Sequence, residues 1–177
     1  GPRSVSTFLI TNIMLNAVSS WVSIELGTMG PLNSSALACA SGNHAILEAY
    51  HILKRNEADV IITGGTEAAI SPVIFASFNR MGALSARNEQ PEKASRPFDK
   101  DRDGFVFGEG AAAFILENEA HARARGARIY GEVLGGRLTS DGYHVTAPRP
   151  DASGVVAAMK GALEDSGKTI DDVDAIF

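Results

Sequence analysis

The chain has 177 residues, of which 45% are hydrophobic and 21% are charged, and its formal net charge is −5. A chain of this length can bury about 70% of the surface that it exposes when unfolded, so a globular domain is expected. The single cysteine, Cys39, excludes an internal disulfide and a cysteine-rich zinc site. The acidic net charge argues against general nucleic-acid binding. No apolar run approaches the roughly 20 residues that span a bilayer.

The first third of the chain predicts helices and short strands in alternation. Apolar residues recur at helical spacing over 12–26, and Gly27 is a typical helix stop. Small residues over 33–38 predict a strand that turns sharply at Cys39 into a second helix. Residues 59–63 predict a buried strand that leaves the sheet at Gly64 and Gly65, so we expect a βαβ unit.

The rest of the chain continues this alternation and indicates a layered α/β fold. The predicted elements are a helix over 72–81, a polar ordered loop over 82–104, a strand over 110–116, a helix over 118–125 closed by Gly126, a strand over 129–139, a helix over 153–166 followed by Gly167, and a strand over 173–177. The chain begins without methionine and stops inside a predicted strand, so we expect it to be a fragment.

Cys39 is the candidate nucleophile, because it lies where a predicted strand turns into a helix among small neighbours. A helix N-terminus favours a thiolate and can hold the oxyanion of a tetrahedral intermediate. The alternative is a buried structural cysteine, which is common in protein cores. The spacing alone supports both interpretations about equally.

The acidic loop that contains Asp99, Asp101 and Asp103 resembles the opening of a calcium-binding loop. The far end does not fit, because the position that needs a bidentate glutamate is Gly110 and a strand follows instead of a helix. We therefore interpret these carboxylates as caps of turns in a rigid loop. Phe105 and Phe107, which come next, are expected to point to the interior.

The four histidines do not form a predicted metal site. His44 and His51 lie seven residues apart on one helix, about 10 Å along its axis, so one metal ion cannot bind both. His121 is expected to be solvated on an amphipathic helix. His144 lies in a polar turn, where a structural role is favoured over that of a base.

Taken together, ordered motifs along the whole chain resemble the β-ketoacyl-acyl carrier protein synthases of type II fatty-acid synthesis and the related polyketide ketosynthases. The motifs include Ala38-Cys39-Ala40-Ser41-Gly42, Ala94-Ser95-Arg96-Pro97-Phe98-Asp99, Ser140-Asp141-Gly142-Tyr143-His144, and the stretches 1–3, 58–60, 64–67, 83–85, 102–106, 108–111 and 125–127. The resemblance identifies Cys39 as the nucleophile of the family.

The resemblance implies a thiolase-like αβαβα layered fold with two similar halves, of which this chain holds the central part. Residues 1–126 would be the later part of the N-terminal half, and residues 127–177 the truncated opening of the C-terminal half. In the family, the cysteine takes an acyl chain from acyl carrier protein, and malonyl-carrier protein then loses carbon dioxide and attacks the thioester. No cofactor is expected, because the substrates arrive on the phosphopantetheine of the carrier.

The resemblance also implies that two catalytic histidines lie downstream of Phe177, so we expect this chain alone not to condense substrates. It further suggests binding roles, for which ordinary core packing is the alternative. Leu9, Ile10, Ala38, Ala69, Phe78 and Phe105 match positions around the acyl chain, Thr146 matches a position near the pantetheine arm, and Arg3 matches a basic residue that faces the carrier. Gly82 stands where related enzymes have an arginine, which puts one carrier contact or gate in doubt.

The implied partners are acyl carrier protein and a second subunit, either a second copy or a chain-length factor, with no nucleic acid and no membrane. The implied location is the bacterial cytosol or the plastid stroma. Three other functions stay open. They are a polyketide ketosynthase subunit, a thiolase that acts on coenzyme A esters, and a non-catalytic dimerising scaffold.

Overall fold

A computed structural model describes residues 2–177, and Gly1, where the first predicted domain begins, lies outside the described residues. Over the described residues, six α-helices and two β-strands form: α1 Leu9–Ile13, α2 Ala17–Leu26, α3 Ser41–Lys54, β1 Val60–Glu67, α4 Pro72–Arg80, β2 Gly110–Glu117, α5 Glu119–Ala124 and α6 Ser153–Ser166. Short 3-10 helices lie at Pro2–Ser4, Ala38–Ala40, Pro91–Lys93 and Ile170–Asp172. The chain divides into two compact units, a smaller one of Gly65–Ala112 and a larger one of the residues up to Gly64 with Ala113–Phe177.

Helix α3 supplies much of the core of the larger unit, and the predicted helix after Cys39 is confirmed. Its buried residues are Leu47, Ala49, Ile52 and Leu53. The hydroxyl of Tyr50, on the same helix, donates to the carbonyl of Leu134 at 3.0 Å. A side chain on Gly136 would collide with Leu47, since its Cβ would lie 2.7 Å from Leu47 Cδ1. The 129–139 segment therefore packs tightly on α3.

The prediction of one continuous helix over 12–26 is wrong, because two shorter helices occupy this stretch. Helix α1 ends at Ile13, since the backbone of Met14 is extended with ψ at 139°. Helix α2 starts after Asn16, whose carbonyl accepts the N–H of Ser20 at 2.9 Å. Asparagine is favoured before the first turn of a helix. The predicted stop at Gly27 is confirmed, with φ at +65°, a conformation that glycine adopts readily.

The two strands found among the described residues pair with each other. The N–H of Asn118, just after β2, donates to the carbonyl of Asp59, just before β1, at 3.3 Å. The end of β2 therefore lies beside the start of β1, and the pair is antiparallel. The strand predicted over 59–63 is confirmed, but it continues through both glycines to Glu67. The expected βαβ unit is wrong, because residues 33–38 form no strand to pair in parallel with β1.

Three predicted strands, over 33–38, 129–139 and 173–177, are absent from the described part of the chain. A strand exists only within a ladder, so an apolar run needs a neighbouring strand with free N–H and C=O groups. Within residues 2–177, none of these three runs pairs with β1 or β2 in a ladder. In the second run, for example, the N–H of Gly136 donates to the carboxylate of Asp165 at 3.0 Å.

The remaining predicted helices are confirmed, and their ends follow local chemistry. The hydroxyl of Ser71 accepts the N–H of Ile74 at 3.4 Å and caps α4. Gly126 after α5 and Gly167 after α6 both have φ at +68°. None of the helices within residues 2–177 combines the length and the apolarity that crossing a bilayer requires.

Aromatic rings form a small cluster in the smaller unit. The ring of Phe107 lies 5.8 Å from that of Phe75 and 5.0 Å from that of Phe78, measured between centroids. Phe107 is half-buried by these contacts. The prediction that Phe107 points to the interior is thus in agreement with its packing.

The corresponding prediction for Phe105 is wrong, because this residue is 66% exposed. Its N–H donates to the carbonyl of Ala83 at 2.8 Å, and its carbonyl accepts the N–H of Ser85 at 2.9 Å. These two bonds form an isolated bridge opposite Leu84 and fix the backbone of Phe105. The bridge leaves the side chain on a face that the described residues do not cover.

Much apolar surface of the described chain is exposed. Its accessible surface is 14,094 Å², whereas a compact chain of this mass exposes about 8,000 Å². The described chain therefore buries less of its surface than the chain length led us to expect. Several large side chains of α1 and α2 contribute, among them Ile13 at 65%, Trp21 at 53% and Ile24 at 67% exposed.

A buried carboxylate joins the end of β2 to α5 in the larger unit. The side chain of Glu117 is 6% exposed. Its two oxygens accept hydrogen bonds from the guanidinium of Arg125 at 2.8 and 2.7 Å, and His121 Nδ1 contacts one of them. These bonds, first from Arg125 and then from His121, lower the pKa of Glu117 from its ordinary 4.5 to about 2.

We predict that Glu117 makes the stability of the larger unit pH-dependent. Because the folded-state pKa is lowered, its stabilising effect is fully present above about pH 4.5 and is lost as the pH falls towards about 2. Glu117→Gln should therefore lower the melting temperature near neutral pH, and the difference from wild type should shrink at about pH 3. Glu119→Gln, at a side chain that is 55% exposed, is the matched control. A constant wild-type-to-variant difference across this range would contradict the prediction.

Candidate active site

Cys39 is the middle residue of the 3-10 helix Ala38–Ala40, which continues directly into α3. Its side chain is exposed, so the alternative of a buried structural cysteine is wrong. The backbone turns sharply just before it. Leu37 has φ at −124° and ψ at 39°, and Ala38 has φ at +49°, in the left-handed region. We call residues 37–41 the elbow.

Short hydrogen bonds close the elbow around Cys39. The N–H of Ala40 donates to the carbonyl of Leu37 at 3.0 Å. The hydroxyl of Ser41 accepts the N–H of Leu37 at 2.8 Å and donates to the carbonyl of Ala38 at 2.8 Å. Ser41 was not among the predicted site residues. The only sequence signal for it is a hydroxyl residue two positions after the cysteine, at the start of a helix.

The start of α3 provides an environment that suits a nucleophile. The helix has 14 residues, and its first turn contains no acidic side chain. Its N-terminus therefore offers the positive end of the helix dipole to a thiolate or an oxyanion. A Cβ added to Gly42 would meet nothing within 4 Å, so the first turn is uncrowded. The arrangement can support attack of a thiolate on a carbonyl group.

His44 lies on the same helix but has other partners. Its Nδ1 atom lies 2.9 Å from the hydroxyl oxygen of Ser35, and its Nε2 atom lies 3.9 Å from the carboxylate of Glu48. The contact with Ser35 holds the 33–38 segment against α3, and the contact with Glu48 lies within α3. The geometry is that of a structural histidine rather than a base beside Cys39.

The structure also tests the roles predicted for His144 and His121. His144 Nδ1 accepts the N–H groups of Thr146 and Ala147, both at 3.1 Å, so the structural role predicted for it is confirmed. The prediction that His121 is solvated is confirmed, since its side chain is 46% exposed, and its ring also pairs with Glu117. The pairing follows from their i,i+4 spacing.

Two of the three carboxylates of the acidic loop, those of Asp99 and Asp103, bind protein donors, as predicted. Asp99 accepts the N–H of Asp101 at 2.7 Å. Asp103 accepts the hydroxyl of Ser85 at 2.7 Å and the N–H of Ala86 at 3.0 Å. The Ser85 bond is the main cause of the lowered pKa of Asp103. Within residues 2–177, no group of three or more His, Cys, Asp or Glu side chains is placed to hold a metal ion.

The remaining predicted site residues divide between the two units. The larger unit contains Arg3, Leu9, Ile10, Ala38 and Thr146 together with Cys39, and all of these are exposed. The smaller unit contains Ala69, Phe78 and Phe105, of which Ala69 and Phe78 are half-buried. Their roles towards an acyl chain or a carrier stay predictions.

Two open cavities, one in each unit, were not revealed by the sequence. In the smaller unit, a cavity of 460 Å³ is lined by Phe105 together with Arg96 and Arg102, so its wall is partly cationic. In the larger unit, a cavity of 350 Å³ lies between α3, the 129–139 segment and α6, with Leu47 and Met159 in its wall. No residue that the sequence suggested for the acyl pocket lines the second cavity.

Two family descriptions match the chain. Residues 1–122 match the beta-ketoacyl synthase N-terminal domain, and residues 130–177 match the beta-ketoacyl synthase C-terminal domain. Among named relatives, 3-oxoacyl-[acyl-carrier-protein] synthase 2 of Synechocystis is 50% identical over 94% of this chain and 40% of its own length. The chloroplastic 3-oxoacyl-[acyl-carrier-protein] synthase I of Arabidopsis thaliana is 45% identical over 99% of this chain and 37% of its own length.

Solved structures agree with these matches. The AntDE:AntF complex, described as a type II PKS acyl-carrier protein in complex with its ketosynthase, gives a TM-score of 0.88 at 30% identity, over 96% of this chain and 42% of the other. The ishigamide ketosynthase/chain length factor gives 0.87 at 35% identity, over 98% and 41%. The described residues therefore carry part of the thiolase-like α/β fold, as predicted. The chain spans about 40% of the length of the relatives that it matches.

Proposed function

Because the chain belongs to the beta-ketoacyl synthase family, we propose that it is the part of a 3-oxoacyl-[acyl-carrier-protein] synthase that accepts the acyl group, with Cys39 as the nucleophile. The observation that supports this most is the exposed thiol of Cys39 at the elbow before α3. The names of the two relatives above favour the same activity.

In the proposed first step, the thiolate of Cys39 attacks the carbonyl carbon of an acyl group held as a thioester on the phosphopantetheine of acyl carrier protein. The new bond joins Cys39 Sγ to the acyl carbon, and the bond to the carrier sulfur breaks. The proton of the Cys39 thiol ends on the released carrier thiol. The start of α3 would stabilise the charge that develops during this exchange.

In the proposed second step, a malonyl group on a second carrier loses carbon dioxide, and the carbanion attacks the acyl-Cys39 carbonyl. The Cys39 thiolate leaves, and the product is a carrier-bound 3-oxoacyl chain two carbons longer. This step needs groups that stabilise an enolate. The two histidines that hold this function in the family match none of the chain's own His44, His51, His121 and His144.

We therefore predict that the 177-residue chain by itself makes no condensation product. Acyl-carrier and malonyl-carrier protein would be incubated with the chain, and the carrier-bound products measured by mass spectrometry. The full-length protein that contains the chain is the positive control. A product two carbons longer from the chain alone would contradict the prediction.

The proposal extends to partners, location and domain organisation. The carrier would deliver its arm near Arg3 and Thr146, and the second subunit would be another copy or a chain-length factor. The occurrence of relatives in Synechocystis and in the Arabidopsis chloroplast favours the bacterial cytosol or the plastid stroma.

No resident cofactor is required, since phosphopantetheine carries the substrates. We also propose that the two thiolase-like halves meet between residues 126 and 127.

The identity of the acyl donor tests the proposed function. The full-length protein would be incubated separately with acyl-carrier protein and with the same acyl group on coenzyme A. We expect acylation of Cys39 to be much faster from the carrier. A preference for coenzyme A would instead support a thiolase, and a dimer without acylation from either donor would support a scaffold.

A second candidate is a polyketide ketosynthase subunit, which the ketosynthase with its carrier and the ketosynthase/chain length factor favour as structural neighbours. The products distinguish the two. A fatty-acid synthase subunit should add two carbons once and stop until the keto group is reduced. A polyketide ketosynthase should extend its own keto product repeatedly, with its second subunit present, and the mass of the carrier-bound chain measures this directly.

A further inference from the structure

The hydroxyl of Ser41 connects the Leu37 N–H to the Ala38 carbonyl, and these two groups flank the Leu37–Ala38 peptide just before Cys39. It accepts from the Leu37 N–H and donates to the Ala38 carbonyl, each at 2.8 Å. A serine hydroxyl has one proton to donate, so both of these bonds define its orientation. Because Ser41 follows Cys39 by two residues, the side chain closes a ring of bonds around the nucleophile.

The backbone enclosed by this ring is not in a relaxed conformation. Ala38 has φ at +49°, a left-handed conformation that costs free energy for a residue with a Cβ. Such a conformation persists when surrounding bonds over-determine it. The Ala38 carbonyl receives both the N–H and the hydroxyl of Ser41, and the hydroxyl is also the partner of the Leu37 N–H.

We propose that Ser41 is a positioning residue, whose hydroxyl holds Ala38 in the left-handed conformation and thereby presents the Cys39 thiol at the exposed side of the elbow. The inference rests on the proposed function, because acylation of Cys39 is the step that the orientation serves. Ser41 itself touches neither the carrier nor the acyl group in this role.

Four variants of the full-length protein test the inference. Ser41→Ala removes the hydroxyl, and Ser41→Thr keeps it. Ala38→Gly removes the cost of the left-handed conformation, and the double variant combines Ala38→Gly with Ser41→Ala. Two rates are measured for each, namely acylation of Cys39 by acyl-carrier protein and alkylation of Cys39 by iodoacetamide, together with the melting temperature.

Ser41→Ala should lower the maximal rate of acylation about 10- to 100-fold, because small displacements of a reacting group have effects of this size. The concentration of carrier at half-maximal rate should not change. Ser41→Thr should stay near the wild-type rate, and the double variant should recover a large part of the loss, since glycine adopts a positive φ at little cost.

A wild-type rate in Ser41→Ala, or an equal loss with and without Ala38→Gly, would overturn the inference. If Ser41→Ala fails to fold, a folded and reactive double variant supports the inference, and an unfolded one overturns it. If the wild-type protein is not acylated by any carrier, the proposed function fails. The alkylation rates then still decide whether Ser41 positions the thiol.

Discussion

Replacement of Cys39 with alanine in the full-length protein should abolish acyl transfer from acyl-carrier protein, with a loss of at least about 1,000-fold. Within these 177 residues, no second cysteine is present that could take over the acyl group. The rate of label transfer from radioactive acyl-carrier protein to the protein measures the effect. The fold should be unaffected, because the Cys39 side chain is exposed and outside the core.

Two further variants sharpen this result. Cys39→Ser keeps the size of the side chain but replaces the thiol with a weaker nucleophile, so it should also be close to inactive. Met29→Ala is the matched control, because Met29 is 98% exposed and belongs to no predicted site. Acyl transfer by Cys39→Ala at the wild-type rate would show that another group accepts the acyl chain.

Gly104→Ala should destabilise the smaller unit by at least about 2 kcal/mol. Gly104 has φ at +152°, and a Cβ there would lie 2.5 Å from the Leu84 carbonyl carbon and 2.6 Å from the Ser85 nitrogen. Both clashes are with backbone, so no side-chain rotation can relieve them. The new methyl group would push apart the backbones of Leu84 and Phe105 and break the β-bridge between them. Unfolding by denaturant, followed by limited proteolysis of the 83–105 loop, measures the change.

Gly108→Ala is the control for this prediction in the same unit. A Cβ on Gly108 would meet nothing within 4 Å, and its φ is not positive. The change should therefore alter the free energy of unfolding by less than about 0.5 kcal/mol. Equal stability of the Gly104 and Gly108 variants would contradict the close approach of Gly104 to the Leu84 backbone.

The fold could be predicted from the sequence where local chemistry determines it. The helical spacing of apolar residues placed α3 and α6 correctly, and the terminal Gly167 placed the end of α6. The apolar runs over 33–38 and 129–139 look like strands, but a ladder depends on a partner strand, and partner strands are often distant in sequence. Periodicity contains no information on whether that partner is present. The exposure of Phe105 could not be predicted for the same reason, because burial of its side chain requires a segment that is distant in sequence.

In the candidate site, too, the features set by local sequence could be predicted, and those that depend on the folded backbone could not. Cys39 stood out because of its residue type and its place before a helix, and the resemblance then assigned its role. Ser41 was missed, since its importance depends on two bonds to the backbone that exist only once Ala38 is left-handed. The acyl-pocket residues were selected by resemblance alone, and their proximity to Cys39 is a long-range property that spacing cannot give.

The proposed acceptance of an acyl group by the Cys39 thiol can be tested directly. The full-length protein would be mixed with acyl-carrier protein without malonyl donor, then digested and examined by mass spectrometry. We expect one acyl thioester, on the peptide that contains Cys39, removed by hydroxylamine. An unmodified Cys39 peptide, or an acyl group on another residue, would contradict it.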